Sequence, residues 1–103
     1  HPAVAEAAAV GVPHTVKGEV AWVFCVLAPG ASAEEEDVRA LIAEELGKAF
    51  APDRVLFVPS LPKTRSAKIV RRAVRATALG EDPGDLSSVE NPEALDGISA
   101  AVG

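Results

Sequence analysis

At 103 residues the chain has room for one small domain and one core, because folding at that size buries roughly 60–70% of the unfolded surface. It is 49% hydrophobic, rich in alanine and only 4% aromatic, so the core is expected to be compact; a single cysteine, Cys25, rules out an internal disulfide and, with only two histidines, makes a poor metal set. The net charge of −5 and the lack of aromatics among the basic residues speak against a nucleic-acid partner, and neither a run of about 20 apolar residues nor a signal-peptide pattern is present, so a cytoplasmic protein with no membrane partner is expected.

The chain opens at His1 and runs straight into apolar residues with no cap or linker, which reads as the cut start of something longer. Ala3–Val12 is ambiguous: alanine favours helix, whereas Val10 to Pro13 reads as the end of a strand. Gly18–Leu27 is clearer. Val20, Trp22, Phe24 and Val26 alternate with Ala21, Val23, Cys25 and Leu27, and since both faces are apolar the pattern predicts an interior strand covered on both sides. Cys25 therefore reads as a buried structural thiol, and His1 and His14 as surface or turn histidines.

After Pro29-Gly30, Ser32 and Glu35 have capping-box spacing, and Val38, Leu41, Ile42 and Leu46 recur at helical intervals up to Gly47, a suitable C-terminal cap. Val55–Val58, bounded by prolines, predicts a short strand. A Pro-containing loop follows, then an amphipathic helix over Ile69–Leu79 with Ile69, Val70, Ala73, Val74 and Thr77 inward and Arg71, Arg72 and Arg75 outward. Beyond Gly80 the composition resembles a linker, except for a short helix with Asn91 as cap and Pro92 as its first residue. The sum is an α+β domain, a small mixed or antiparallel sheet of about three strands with helices packed on it, spanning residues 1–80, and an acidic tail over 81–103.

Charge is segregated along the chain. Seven basic residues and no acidic one lie between Arg54 and Gly80, and six acidic residues with no Lys or Arg lie between Glu81 and Asp96. Such a basic segment suits an anion, although the two segments could simply fold against each other.

Leu61 to Lys68 is the informative stretch. With Ser66 as N-cap, Lys68 falls in the first helical turn, where the dipole repels a cation at a cost of about 0.3–1 kcal/mol, so a sequence selected for stability alone would prefer Asp or Glu there. A lysine beside free backbone N–H groups makes a site for phosphate or carboxylate. A solvated surface lysine is the plainer alternative.

The run LPKTRSAKIVRR resembles the final signature of the adenylate-forming superfamily, in its acetyl-CoA synthetase branch, where the usual form ends in Gly-Lys. HPAVAEAAAVGVPHTVKGEV, LGKAFAPDRVLFV and ALGEDPGDLSSVENPEALDGI match that branch in order and spacing, so the resemblance covers nearly the whole chain. It implies the C-terminal mobile domain of an AMP-forming acyl-CoA synthetase, inactive alone, working against an N-terminal adenylating domain that binds ATP, CoA and the acid and handles most of the magnesium. Lys68 would be the catalytic residue, bridging the acid carboxylate and the nucleotide phosphates by electrostatics and positioning. The same lysine is then a candidate for acetylation, with a lysine acetyltransferase and deacylase as partners.

The sequence departs from the pattern twice. Ala67 stands where glycine is usual, so either this residue is strained or the loop uses an ordinary backbone conformation, and the latter is expected. Ala43 occupies a position that matches an arginine for the CoA phosphate in acetyl-CoA synthetases, which leaves the cofactor-binding residues of this chain unassigned. A regulatory or protein-binding module without catalytic role is the rival reading of the same basic loop.

Overall fold

The computed structural model describes residues 2–47 and 51–103. Six elements follow in chain order: β1 (Val4–His14), β2 (Gly18–Leu27), α1 (Glu35–Leu46), β3 (Arg54–Phe57), α2 (Arg71–Ala78) and α3 (Ala94–Val102). The strands form one mixed sheet in the order β1-β2-β3, with β1 antiparallel and β3 parallel to β2. This is the α+β architecture with a three-stranded sheet that the sequence predicts.

The segment left open between helix and strand is β1. Its alanines favour helix intrinsically, but Ala8, Val10 and Val12 alternate onto one buried face, and burial of that face outweighs the few tenths of a kcal/mol of propensity per residue. His14 closes the β1–β2 connection, its Nδ1 accepting the backbone N–H groups of Val16 and Lys17 at 3.1 Å each, so it is a turn histidine. Its counterpart, His1, lies outside the described residues.

Strand β2 is the middle strand, which explains its two apolar faces. Phe24 sits in a core with Ala8, Val10, Val12, Leu56, Val58, Leu61, Ala73, Val74, Leu95 and Ile98, beneath α2 and α3. Val23 and Cys25 lie on the opposite face with Val38 of α1 and Val55 of β3. Burying a side chain such as Phe24, which is fully covered, is worth about 1.5–3 kcal/mol. Burial pushes the Cys25 thiol above its ordinary value, as befits a structural cysteine.

Helix α1 begins later than its capping box suggests. Glu34 is the N-cap, no side chain caps it, and Glu35 instead turns to Arg39, which also donates to Asp53 O at 2.7 Å and so ties the helix to the start of β3. Leu46, expected on the inner face, is exposed. Gly47 does close the helix, with φ of 97° and its N–H on Ala43 O. On β3, Arg54 stacks over Trp22 at 4.8 Å, a cation–π contact between paired residues.

The tail after Gly80 does not behave as a linker in the core. Val89, Ala94, Leu95 and Ile98 are buried, and α3 runs so close to the chain after β3 that a Cβ on Gly97 would lie 2.9 Å from Pro59 Cδ. Asn91 is not the N-cap of α3, a place taken by Glu93; its side chain is engaged elsewhere.

Candidate functional site

The predicted helix start at Ser66 is replaced by a hairpin. Helix α2 begins only at Arg71, with Val70 as N-cap, and Lys68 lies before it in an extended segment that pairs back on the chain. Lys63 and Ile69 form an antiparallel bridge, Val70 N–H donates to Pro62 O at 2.9 Å, and Thr64 N–H donates to Lys68 O at 2.9 Å. Inside this frame Ala67 N–H donates to Thr64 O at 2.9 Å, leaving Arg65, Ser66 and Ala67 as a three-residue loop.

The geometry of that loop settles how Ala67 is accommodated. In three-residue hairpin loops the last residue adopts the left-handed region, a position that suits glycine. Ala67 has φ of 66°, unlike every other non-glycine among the described residues. The expectation of an ordinary backbone here is therefore corrected: hairpin closure imposes the left-handed conformation, and alanine bears a cost of about 1–2 kcal/mol for it. The glycine usual at this place in the superfamily was the signal for a hairpin rather than a helix N-terminus.

Lys68 is consequently not in a helical turn but two residues before the N-cap of α2. It is exposed at the end of the loop, and among the described residues no hydrogen bond or ion pair engages its ammonium. Its backbone, in contrast, is held on both sides, because Thr64 N–H bonds its carbonyl and Thr64 Oγ1 accepts its N–H at 3.3 Å. A mobile four-carbon arm carrying a positive charge thus projects from a fixed root.

The base of the hairpin is anchored more deeply. Leu61 and Pro62 are fully buried. Lys63 Nζ pairs with Glu6 Oε1 on β1 at 2.6 Å. The tail crosses beside it: Glu90 N–H donates to Lys63 O at 2.8 Å, Asn91 Oδ1 accepts Lys63 N–H at 2.8 Å, and Asn91 Nδ2 donates to Leu61 O at 2.9 Å. Sequence patterning gave no hint of these contacts, since a polar residue next to proline looks like a cap.

The remaining basic residues are largely occupied by their own chain. Arg65 pairs with Glu90 at 3.1 Å, Arg72 donates to the carbonyls of Pro83 and Asp85 at 2.8 and 2.6 Å, and Arg75 donates to Gly11 O at 2.7 Å. The basic and acidic segments do fold against each other. Asp85 is held below its ordinary value first by hydrogen bonds from Ser87, with Arg72 adding a smaller attraction. Lys68 stands apart from these braces. Ala43 lies partly covered on α1, its carbonyl accepting the Gly47 N–H. No group of three or more His, Cys, Asp or Glu able to hold a metal occurs among the described residues, and no helix there is long and apolar enough to cross a membrane.

The chain thus lays α1 on one face of the sheet and α2 with α3 on the other, and its signature ends on an exposed lysine. The family model described as the AMP-binding enzyme C-terminal domain matches residues 1–68, and the chain belongs to that family. Its relatives narrow the class. It is 50% identical over 99% of its length to the acetyl-coenzyme A synthetase of Methanothrix soehngenii, of which it spans 16%, and 42% identical over 99% of its length to the propionate–CoA ligase of Escherichia coli, of which it spans 18%. Among solved structures, an acyl-CoA synthetase of Brucella canis superposes with a TM-score of 0.73 at 37% identity, covering 78% of this chain and 15% of that one. The amide bond synthetase McbA of Marinactinospora thermotolerans gives a TM-score of 0.70 at 42% identity, covering 74% of this chain and 15% of that one. The chain spans about one sixth of the length of these relatives.

Proposed function

We propose that this chain works as the C-terminal domain of an AMP-forming carboxylate–CoA ligase of the acetyl- or propionyl-CoA synthetase type, and that Lys68 promotes formation of the acyl-adenylate. Residues 1–80 would carry this role and residues 81–103 would brace it. The observation that supports the reading best is the contrast within Lys68 itself, a fixed backbone and an unengaged ammonium at the exposed end of the signature hairpin.

The chemistry explains why a lysine is needed there. Attack of a carboxylate on the α-phosphate of ATP brings two anions together, and their mutual repulsion and hydration oppose it. An ammonium placed between them offsets the repulsion and orients the acid for in-line displacement of pyrophosphate, with no proton transfer required of the lysine. The adenylating domain of the full-length protein is the partner in this reading; it would hold ATP with its magnesium, the acid and CoA. The exposure of Lys68 also suits it to a cytoplasmic lysine acetyltransferase, and acetylation would remove the charge.

Replacing Lys68 with Ala or Gln in the full-length enzyme tests the role. Pyrophosphate exchange reports adenylation, and CoA consumption with a supplied acyl-adenylate reports thioester formation. A large loss in the first with the second preserved is expected. Equal losses in both would overturn the assignment.

A further inference from the structure

The hairpin that carries Lys68 is held at its base by a residue beyond the stretch matched by the family model. Asn91 is half-buried and spends both ends of its amide on two backbone groups of the signature: Oδ1 accepts the Lys63 N–H at 2.8 Å, and Nδ2 donates to Leu61 O at 2.9 Å. The neighbouring Glu90 N–H completes the attachment through Lys63 O at 2.8 Å. Lys63 and Leu61 lie in the strand-like arm that pairs with the arm carrying Lys68 and Ile69.

From this geometry we infer that Asn91 is a positioning residue for Lys68, fixing the tilt of the hairpin so that the lysine arrives where the two anions meet. The inference rests on the adenylation role proposed for Lys68. Two further facts point to positioning rather than simple stabilisation. Its primary amide satisfies one donor and one acceptor two residues apart, which an apolar residue would leave unpaired, and so defines a direction as well as a distance. Its own position is fixed as well, because Val89 and Ala94, on either side of it, are buried. Beyond Lys63 the only ion pair of the loop tip among the described residues, Arg65–Glu90, is solvent-exposed, with Arg65 at 94%. A tilt of the arm at Lys63 is therefore passed on to Lys68 through the Thr64–Lys68 pairing, and displacements of about 1 Å can cost on the order of 100-fold in rate.

The experiment uses the full-length enzyme with Asn91→Ala, Lys68→Ala, the double variant, and Val38→Ala as a control that removes core contacts on the opposite face of the sheet. The expected result for Asn91→Ala is an adenylation kcat lower by about 10- to 100-fold. The KM values for ATP and acid and the thioester step from a supplied acyl-adenylate stay within about twofold. On the Lys68→Ala background the added Asn91→Ala change alters the residual rate by less than about twofold, because the residue it positions is already gone. Asn91→Asp keeps the acceptor for Lys63 N–H but loses the donor and sets a carboxylate oxygen against Leu61 O; a lowered adenylation kcat at constant KM is expected of it too, and it carries the test if the alanine variant does not fold. Wild-type adenylation in Asn91→Ala beside an inactive Lys68→Ala would overturn the inference while leaving the lysine's role intact. So would an equal loss in both half-reactions, or an equal adenylation loss in Val38→Ala. Unimpaired adenylation in Lys68→Ala would instead bring down the proposed function itself.

Discussion

Two lysines five residues apart in one signature have opposite surroundings. Lys63 is paired with Glu6 through its ammonium and clamped by Glu90 and Asn91 through its backbone. Lys68 has its backbone held by Thr64 and its ammonium unengaged. The same residue type thus has its charge paired at one end of the hairpin and unengaged at the other. What separates them is whether the protein has spent the charge internally, which a motif written as letters does not record.

The largest expected effect breaks this pair at its functional end. Lys68→Ala should lower adenylation in the full-length enzyme by about 100- to 1,000-fold, the usual consequence of removing one preorganised charge or donor, with thermal stability unchanged. Lys63→Ala should invert the pattern. The side chains of the Lys63–Glu6 pair are only 31% and 34% exposed, so removing one partner costs about 1–3 kcal/mol in urea unfolding and far less adenylation than Lys68→Ala. Similar activity losses for both variants would end the distinction.

Between these in size stands a test of the foundation. Ile98 of α3 is fully buried against the core that includes Leu61, so Ile98→Ala should cost about 2–5 kcal/mol in urea unfolding. A cost below about 1 kcal/mol would mean that the tail only rests on the domain. The smallest effect sharpens the picture of the loop. Ala67→Gly removes the left-handed strain but loosens the unfolded chain, and the balance is a gain of about 0.5–1 kcal/mol, read as a higher Tm. A lower Tm would mean that the hairpin relaxes around alanine in solution.

Which parts of this were legible follows from the range of the interactions involved. The middle strand announced itself because period-two alternation with two apolar faces has one structural explanation, and the partners on both sides, Leu56 and Val58 beneath α2 and α3 and Val38 of α1 on the other face, bear it out. Lys68 could be singled out on its residue type and the signature around it. Its local geometry was misread because Ser followed by a basic amphipathic run has the appearance of an N-cap, while the pairing of Lys63 with Ile69 that displaces the helix start is a tertiary preference for the buried Leu61-Pro62 anchor. Asn91 was invisible as a clamp, since its partners lie 28 and 30 residues away and a backbone amide leaves no mark in a sequence. The arginines of α2 were read correctly as an outward row, but two of them reach back to carbonyls instead of facing an anion.

One of those arginines has a consequence for the molecule's behaviour at high concentration. Strand β1 is an edge, eleven residues long, and its face away from α2 carries the small exposed side chains of Ala5, Ala7 and Ala9. A flat, alanine-rich edge of this length is the kind of template on which another strand can dock and begin an aggregate. Arg75 places a guanidinium on Gly11 O, and Pro13 two residues further on has no N–H to offer. At the other end the register of β1 on β2 shifts between Val4 and Glu6, which breaks the regular ladder. The edge is thus interrupted at both ends, so the contact that docks α2 onto the sheet also helps to keep one copy of the domain from zipping onto the next.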